Sequence, residues 1–491
     1  MMLEIARMED LEAICALYES TCAQMQAAGG LNQWSWGEYP SRDIVREDLE
    51  AGRLYVARQG GAPICAVAID QEQEEQYARV DWLFGTRPGS FHRFAVAGEL
   101  RGQGLGRKVL GEIIQILQGM GCDSLRCDTS AENAAALHLY ESQGMRRAGT
   151  VHYPPDLSQD YPCLEMPLTA DCPLLPIPMT PAFRGGSLTP WGGKKLREIY
   201  GKEIPNDTTG ESLEVSCIPG LESADPMGVK LPELIARYGE KLVGAYAGET
   251  FPLLLKLLDA RESLSVQVHP GDAYAHEHEN GKLGKTEAWL ILRAEPGSEL
   301  VYGIVPGTEL ERLRSACLAG AAVQPLLRRV AVKPGDVCFI PAGCVHAIGE
   351  GIMLYEIQQS SDVTYRFYDW DRVDAKGNKR ELHLDKALDV TDLHFALDPV
   401  PAPDAPCARV LDTTYFTLDL LKAEGQVEVP PVKDFGLLTA LDALTLRWAG
   451  GERALAAGES LLLPAACPAL TLEGRGRAAL SMPAGKQASS V

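Results

Sequence analysis

Five prolines, Pro167, Pro173, Pro176, Pro178 and Pro181, fall within fifteen residues. Each fixes its own φ and removes a backbone donor, so neither a helix nor a central strand runs through the stretch. A chain of 491 residues must therefore fold as separate parts on either side of it, and its length suits two to four domains. The stretch over 169–182 reads as a Pro-rich linker or as the arm that opens a second domain. The parts differ in texture. Within 1–168, Leu11, Ile14, Cys15, Leu17 and Tyr18 recur at helical spacing, while Leu54–Ala57 and Ile64–Ile69 read as short strands. From 245 onward strands dominate, with turn signals such as Pro334-Gly335-Asp336, which is the pattern of an antiparallel sandwich or barrel. A helical patch around Leu231–Leu242 interrupts it.

Charge narrows the partners. Lys and Arg number 46 against 67 Asp and Glu, a formal charge of −21. Such a surface repels phosphate backbones and anionic lipid, so neither nucleic acid nor membrane is expected as a partner. No apolar run approaches the roughly 18 residues of a spanning helix. The start, Met1 to Asp10, carries acids where a signal peptide needs a basic patch and an apolar core. Thirteen cysteines include no C-x-x-C pair, which reads as reduced thiols in the cytoplasm.

One internal repeat is visible. Val332-Lys-Pro-Gly335-Asp-Val-Cys-Phe-Ile340-Pro341-Ala342 returns as Ala456-Ala-Gly458-Glu-Ser-Leu-Leu-Leu463-Pro464-Ala465, offset by 123 residues. On strand-rich text this predicts two similar β-barrels in tandem. Where the first copy continues to His346, the second has Ala469, so a metal in the first barrel would lack that ligand in the second.

The first candidate site is a glycine turn. The apolar strand Phe91–Val96 leads into Arg101-Gly102-Gln103-Gly104-Leu105-Gly106, followed by a helix burying Val109, Leu110, Ile113, Ile114 and Leu117. Glycines let a ligand approach the backbone, and a helix start offers unpaired N–H groups to phosphate. Alone, the motif also suits a plain helix entry. Downstream, Leu125–Thr129 reads as a strand and Asn133–Tyr140 opens a helix that Gly144 ends. Together these residues resemble the GCN5-related N-acetyltransferase (GNAT) family, with Met145 in place of the usual aromatic residue. The resemblance implies an α+β domain in which backbone amides of Gln103, Gly104, Leu105 and Gly106, together with Arg101 and Asn133, bind acetyl-CoA. Val96 would pair with the pantetheine arm, and Tyr140 would protonate the leaving thiolate. The acceptor, an amine, is not readable. Glu99 and His92 lie near in sequence, but neither has a geometric claim to be the general base. Trp34 and Trp36, in a Gly/Asn-rich loop, line an acceptor pocket or cap the core.

The second candidate site is a metal cluster. In Leu264–Pro270 alternation puts Gln267 and His269 on one strand face. Glu287 opens the strand Glu287–Ile291, and a proline turn at Pro341 delivers His346 into another. An amide oxygen, two imidazoles and a carboxylate suit Zn²⁺ and leave positions for water or substrate. His276-Glu277-His278 competes but reads as a solvated loop. Gln267-Val-His269-Pro270, Lys285-Thr-Glu287, Pro341 to Ala347 and Ser361 to Asp369 stand in the order seen in type I phosphomannose isomerases. Trp191-Gly-Gly-Lys-Lys-Leu and Gly210 to Ser216 resemble that family too, with Leu213 for the usual Trp. The resemblance implies a mainly-β, cupin-like double barrel with a small helical part. It further implies one Zn²⁺ per chain on Gln267, His269, Glu287 and His346, and interconversion of mannose 6-phosphate and fructose 6-phosphate. Glu356 matches the candidate base and Arg366 the arginine that stabilises the enediolate. Lys285 either binds phosphate or steers proton transfer.

The expectation is a multidomain fusion enzyme. Its parts are a GNAT domain over 1–168, the linker over 169–182, a metal-binding isomerase domain over 183–395 and a degenerate β domain over 396–491. Hexose 6-phosphate and acetyl-CoA would be its small-molecule partners. Two rivals remain: a silent cupin that senses metal and sugar phosphate to regulate the transferase, and a CoA-binding regulator without turnover.

Overall fold

Apolar side chains three and four residues apart make α1, Leu11–Ala27, bury Leu11, Ile14, Tyr18, Cys22 and Met25 along one face. In this computed structural model the described residues are 2–27, 34–154, 157–373 and 376–485. They form two units: Met1–Leu175 with Arg447–Arg453 and Ala466–Ala469, and Pro176–Leu446 with Ala454–Ala465 and Leu470–Val491.

The first unit is a seven-stranded sheet with four α-helices. Its strands are β1 (Glu4–Ile5), β2 (Leu54–Gln59), β3 (Ala62–Asp70), β4 (Pro88–Val96), β5 (Ser124–Asp128), β6 (Arg146–Val151) and β7 (Tyr161–Pro167), in the order β1-β2-β3-β4-β5-β7-β6. The helices after α1 are α2 (Arg42–Glu50), α3 (Leu105–Gly119) and α4 (Ala134–Ser142). The Ser41 hydroxyl caps α2 by accepting from the Ile44 N–H at 3.3 Å. Two irregularities open the site. β4 and β5 pair in parallel only from Pro88–Ser90 against Ser124–Arg126, then separate. In β4, Arg93 takes φ +52° where the register against β3 shifts, a bulge that re-aims its neighbours. Both carboxylate oxygens of the buried Asp48 accept from its guanidinium, at 2.9 and 2.8 Å, which holds this strained backbone in place.

The second unit begins with an edge strand. The proline stretch is not a free linker: β8 (Ile177–Pro178) pairs with Leu461 and Leu462, and Cys172, Leu174, Leu175, Ile177 and Met179 are buried. Proline is compatible with a strand that bonds on one side only, so an edge position reconciles Pro178 with pairing. The strands that follow are β9 (Ala182–Arg184), β10 (Glu211–Val215), β11 (Leu253–Ala260), β12 (Val266–Val268), β13 (Glu287–Arg293), β14 (Glu299–Ile304), β15 (Leu327–Ala331), β16 (Asp336–Ile340), β17 (His346–Ala347), β18 (Ile352–Gln359), β19 (Tyr365–Tyr368) and β20 (Val400–Pro401). They form sheets ordered β20-β16-β13-β18-β11-β10-β9 and β15-β14-β17-β12-β19. Trp289, Ile340 and Leu354 of the first sheet pack with Leu300 and Tyr302 of the second, as expected of a cupin-like barrel. The helical patch is two pieces, Leu231–Tyr238 and Glu240–Val243, separated at Gly239 with φ +49°.

The C-terminal β part contains β21 (Cys407–Asp412), β22 (Phe416–Glu428), β23 (Phe435–Ala440), β24 (Leu444–Trp448), β25 (Gly451–Leu455), β26 (Ser460–Pro464) and β27 (Leu470–Pro483). β22 and β27 pair along thirteen positions, Phe416↔Pro483 to Glu428↔Thr471. The sequence repeat is also a structural one. In each copy a glycine with positive φ, Gly335 (+93°) or Gly458 (+81°), precedes a strand: β16, which ends just before Pro341, or β26, which ends at Pro464.

Candidate functional site

In the second unit the strand registers assemble the metal-type residues. Gln267 on β12 stands opposite His346 on β17 and opposite Arg366 on β19. Directly paired residues share a sheet face, so the three side chains lie side by side. His269 follows one residue past the end of β12, and Glu287 opens β13. Ligand-type atoms of His269, Glu287 and His346 all lie within 4.8 Å of one another, and all three residues are buried. Gln267 closes the group, its amide nitrogen 3.2 Å from His346 Nε2. A half-turn of the amide presents its oxygen there instead.

Three observations show that this set fits a divalent cation. Each imidazole has its Nδ1 against a backbone carbonyl, His269 against Val363 and His346 against Cys344, both at 2.9 Å. Those contacts leave both Nε2 lone pairs facing the cluster. Apart from the Lys285 ammonium, no donor satisfies either carboxylate oxygen of buried Glu287. The Lys285 ammonium already stands in as a cation, 3.0 Å from His269 Nε2 and 2.7 Å from Glu287 Oε2. Charge tells the same story. Burial, then Lys285, holds His269 far below the usual imidazole range, and burial lowers His346 to about 3, so both imidazoles are neutral at pH 7. Burial and the Glu356 charge push Glu287 up against the pull of Lys285.

Beside this cluster stands Glu356, and sequence reading missed the residues that hold it, Lys256 and Trp289. Glu356 on β18 faces Lys256 on β11 and Trp289 on β13 across the sheet. Lys256 Nζ lies 3.1 Å from Glu356 Oε1, and the Trp289 indole N–H donates to Oε2 at 2.9 Å. Burial would protonate Glu356, but Lys256 and Lys285 outweigh it and hold the carboxyl below its ordinary range. Lys256, buried yet flanked by Glu211 at 3.6 Å as well, stays charged. The Arg366 Nε is buried without a hydrogen-bond partner, a guanidinium still open to an anion. The competing His276-Glu277-His278 group is not a loop but the end of a short helix, Asp272–His278. Among the described residues it forms no metal-type cluster.

The first unit holds a cavity of about 1100 Å³. Its lining runs from Arg101, Gly102, Gly104, Gly106 and Arg107 along Phe91–Val96 to Tyr140. Gly104 takes φ +80° as the residue before α3, and an added Cβ there would meet no protein atom within 4 Å. The first N–H groups of α3 therefore face open space with no intrahelical partner. The Gln103 side chain folds back to donate to the Glu99 carbonyl at 2.8 Å, and Leu105 is buried, so these two can offer their main chain. Asn133 lines the cavity but spends its side-chain oxygen capping α4, accepting from Ala136 N–H at 3.2 Å. That cap is a sufficient reason for its presence. Tyr140 is buried, edge-on to Phe91 with ring centroids 5.5 Å apart, and burial keeps its phenol protonated. Of the tryptophans, Trp34 lines the cavity while Trp36 packs on the core. Much of the Gly/Asn-rich loop before them, 28–33, lies outside the described residues. His92 lines the cavity and Glu99 does not.

Comparison with known proteins agrees with both geometries. Residues 14–145 match the Acetyltransferase (GNAT) family, and residues 187–286 match the catalytic domain of type I phosphomannose isomerase. A mannose-6-phosphate isomerase of Streptococcus mutans is 40% identical over 283 residues, covering 56% of this chain and 88% of that one. The crystal structure of mannose 6-phosphate isomerase from Bacillus subtilis superposes with a TM-score of 0.55 at 32% identity, over 62% of this chain and 99% of that one. At the other end, an uncharacterized N-acetyltransferase of Bacillus subtilis, YvbK, is 29% identical over 109 residues, 22% of this chain and 61% of that one. No helix among the described residues is long and apolar enough to cross a membrane. The chain belongs to the mannose-6-phosphate isomerase family of type I, and it carries a GNAT-family domain ahead of the isomerase part.

Proposed function

We propose that the second unit interconverts mannose 6-phosphate and fructose 6-phosphate with one Zn²⁺ held by Gln267, His269, Glu287 and His346. The observation that carries this reading is the buried cluster of Glu287 with the neutral imidazoles of His269 and His346, their ligand-type atoms within 4.8 Å of one another. When bound there, zinc would act as a Lewis acid that polarises the substrate's oxygens. The protein's own groups do the rest. Glu356, kept ionised by Lys256 and fixed by the Trp289 N–H, takes the proton from the carbon beside the carbonyl and returns it to the neighbouring carbon. Arg366 faces the negative charge of the enediolate, and Lys285, buried at the cluster rather than at a surface, supports proton steering over phosphate binding. A carboxylate held ionised next to the cluster favours turnover over a silent sensor.

For the first unit the reading is acetyl transfer from acetyl-CoA to an amine. Main-chain N–H groups of Gln103 to Gly106 would take the pyrophosphate, with Arg101 beside them, and Val96 on the separated length of β4 would bond the pantetheine arm. Tyr140, protonated by virtue of burial, would supply the thiolate's proton. Elemental analysis of the purified chain tests the isomerase half. About one divalent ion per chain is expected, and two, or none after metal-replete purification, contradicts it.

A further inference from the structure

The end of the first unit's cavity away from the glycine turn carries an arrangement that acetyl-CoA binding leaves unused. His92 and Asp128 each lie two residues beyond the last β4–β5 pair, Ser90↔Arg126, and both line the cavity where the strands separate. Two phenols are spent on Asp128. Tyr77 and Tyr153 both donate to its Oδ1, at 2.6 and 3.1 Å, while Oδ2 accepts nothing among the described residues. The carboxylate is thus fixed by one oxygen and open by the other. Around it the lining is acidic and aromatic: Glu38, Glu74, Trp34, Tyr39 and Tyr153. His92 lies 3.6 Å from both Asp70 and Glu74. Arg93 is committed to Asp48, so it does not neutralise these groups.

Carboxylates walled by aromatic rings suit an ammonium ion and repel an anion. We propose that this end of the cavity binds a small primary amine that lacks a carboxylate, and that Asp128 is the catalytic group that takes its proton. The proposal rests on the acetyl-transfer reading of this unit and names the acceptor class. The ammonium gives one proton to Asp128 Oδ2. The freed amine forms the C–N bond to the acetyl carbonyl carbon, and the C–S bond breaks. Tyr140 protonates the departing sulfur and recovers a proton from the acylated nitrogen, and Asp128 later releases its own to solvent. One acetylated amine, one free thiol and one proton result. Burial pushes the Asp128 carboxyl up, in the direction a proton acceptor at neutral pH needs.

The test follows thiol release and product mass for the full-length protein with acetyl-CoA and tyramine or spermidine, with tyrosine as the carboxylate-bearing control. At least one of the two amines is expected to exceed tyrosine in kcat/KM by about tenfold or more. Asp128→Asn, which still accepts both phenol hydroxyls, should lower kcat by about 10²–10⁴-fold while its calorimetric affinity for acetyl-CoA stays within about twofold. Glu74→Gln should raise the amine KM and spare kcat, and it carries the test should Asp128→Asn fail to fold. An Asp128→Asn variant that keeps its kcat, a preference for tyrosine, or no turnover of either amine by protein that binds acetyl-CoA overturns the proposal. Failure of the parent to bind acetyl-CoA at all overturns instead the acetyl-transfer reading beneath it.

Discussion

Replacing Glu356 with Gln separates base chemistry from metal binding, because Glu356 touches none of the four metal-type residues through a hydrogen bond or ion pair. The amide keeps the shape and can still accept from the Trp289 indole, a contact now 2.9 Å long. What is lost is the negative charge opposite Lys256, 3.1 Å away. Stranding a buried charge costs about 3–5 kcal/mol, but Glu211 remains 3.6 Å from the same ammonium. The expected loss of stability is therefore smaller, about 1–3 kcal/mol. Catalysis should fall much further. Removing a general base typically costs 10²–10⁴-fold in kcat, about 3–5 kcal/mol of barrier at 1.36 kcal/mol per tenfold. A coupled isomerase assay, run with elemental analysis on the same preparation, should find kcat down by that factor and metal content unchanged. If the variant keeps its metal and its kcat within about threefold of the parent, Glu356 is not the base.

Further expectations concern the other residues. His346→Ala should lose both the metal and isomerase turnover, since the repeat offers only Ala469 at the matching position; retention of one ion per chain by elemental analysis contradicts it. Gly104→Val should abolish acetyl-CoA binding by calorimetry, and because Gly104 sits at φ +80° it should also cost about 1–2 kcal/mol of strain in thermal melts. Tyr140→Phe should bind acetyl-CoA like the parent but turn over more slowly, as the ring packing on Phe91 is kept and only the proton donor goes. For Asp128 the folded carboxyl titrates above its unfolded value of 3.8. Its contribution to stability is thus full below that pH and is lost as pH rises through the folded value. Asp128→Asn cannot ionise, so its melting temperature relative to the parent should climb from pH 4 upward; a flat or falling difference contradicts the sign.

The candidate metal-type residues were easier to read in the sequence than their neighbours. Gln267 lies on β12 with His269 one residue past its end, and Glu287 and His346 each open a strand, so short local motifs made these candidates readable. Lys256 and Trp289 reach Glu356 only through the pairing of β11, β13 and β18, and no local pattern sets that register. A signal existed all the same: Lys256 is the single charge in Leu253-Leu-Leu-Lys-Leu-Leu258, and a buried lysine in such a run demands a partner. Asp128 was overlooked similarly, as the last residue of a buried strand whose tyrosine partners sit 51 and 25 residues away. The proline stretch left linker and arm open, because proline forbids a central strand but not an edge, and the pairing with Leu461 and Leu462 fits the arm. Asn133, read as a ligand contact, lines the cavity and also caps α4 with its side-chain oxygen.

The central claim, a buried metal-dependent isomerase site, is tested most directly by one conversion assay on the full-length protein. Mannose 6-phosphate is followed to fructose 6-phosphate before chelation, after chelation, and after zinc is restored, with metal content measured at each stage. The account predicts conversion at about one ion per chain, its loss with the ion, and its return with zinc. Absence of conversion by protein that holds its ion, or conversion undiminished once the ion is gone, contradicts it.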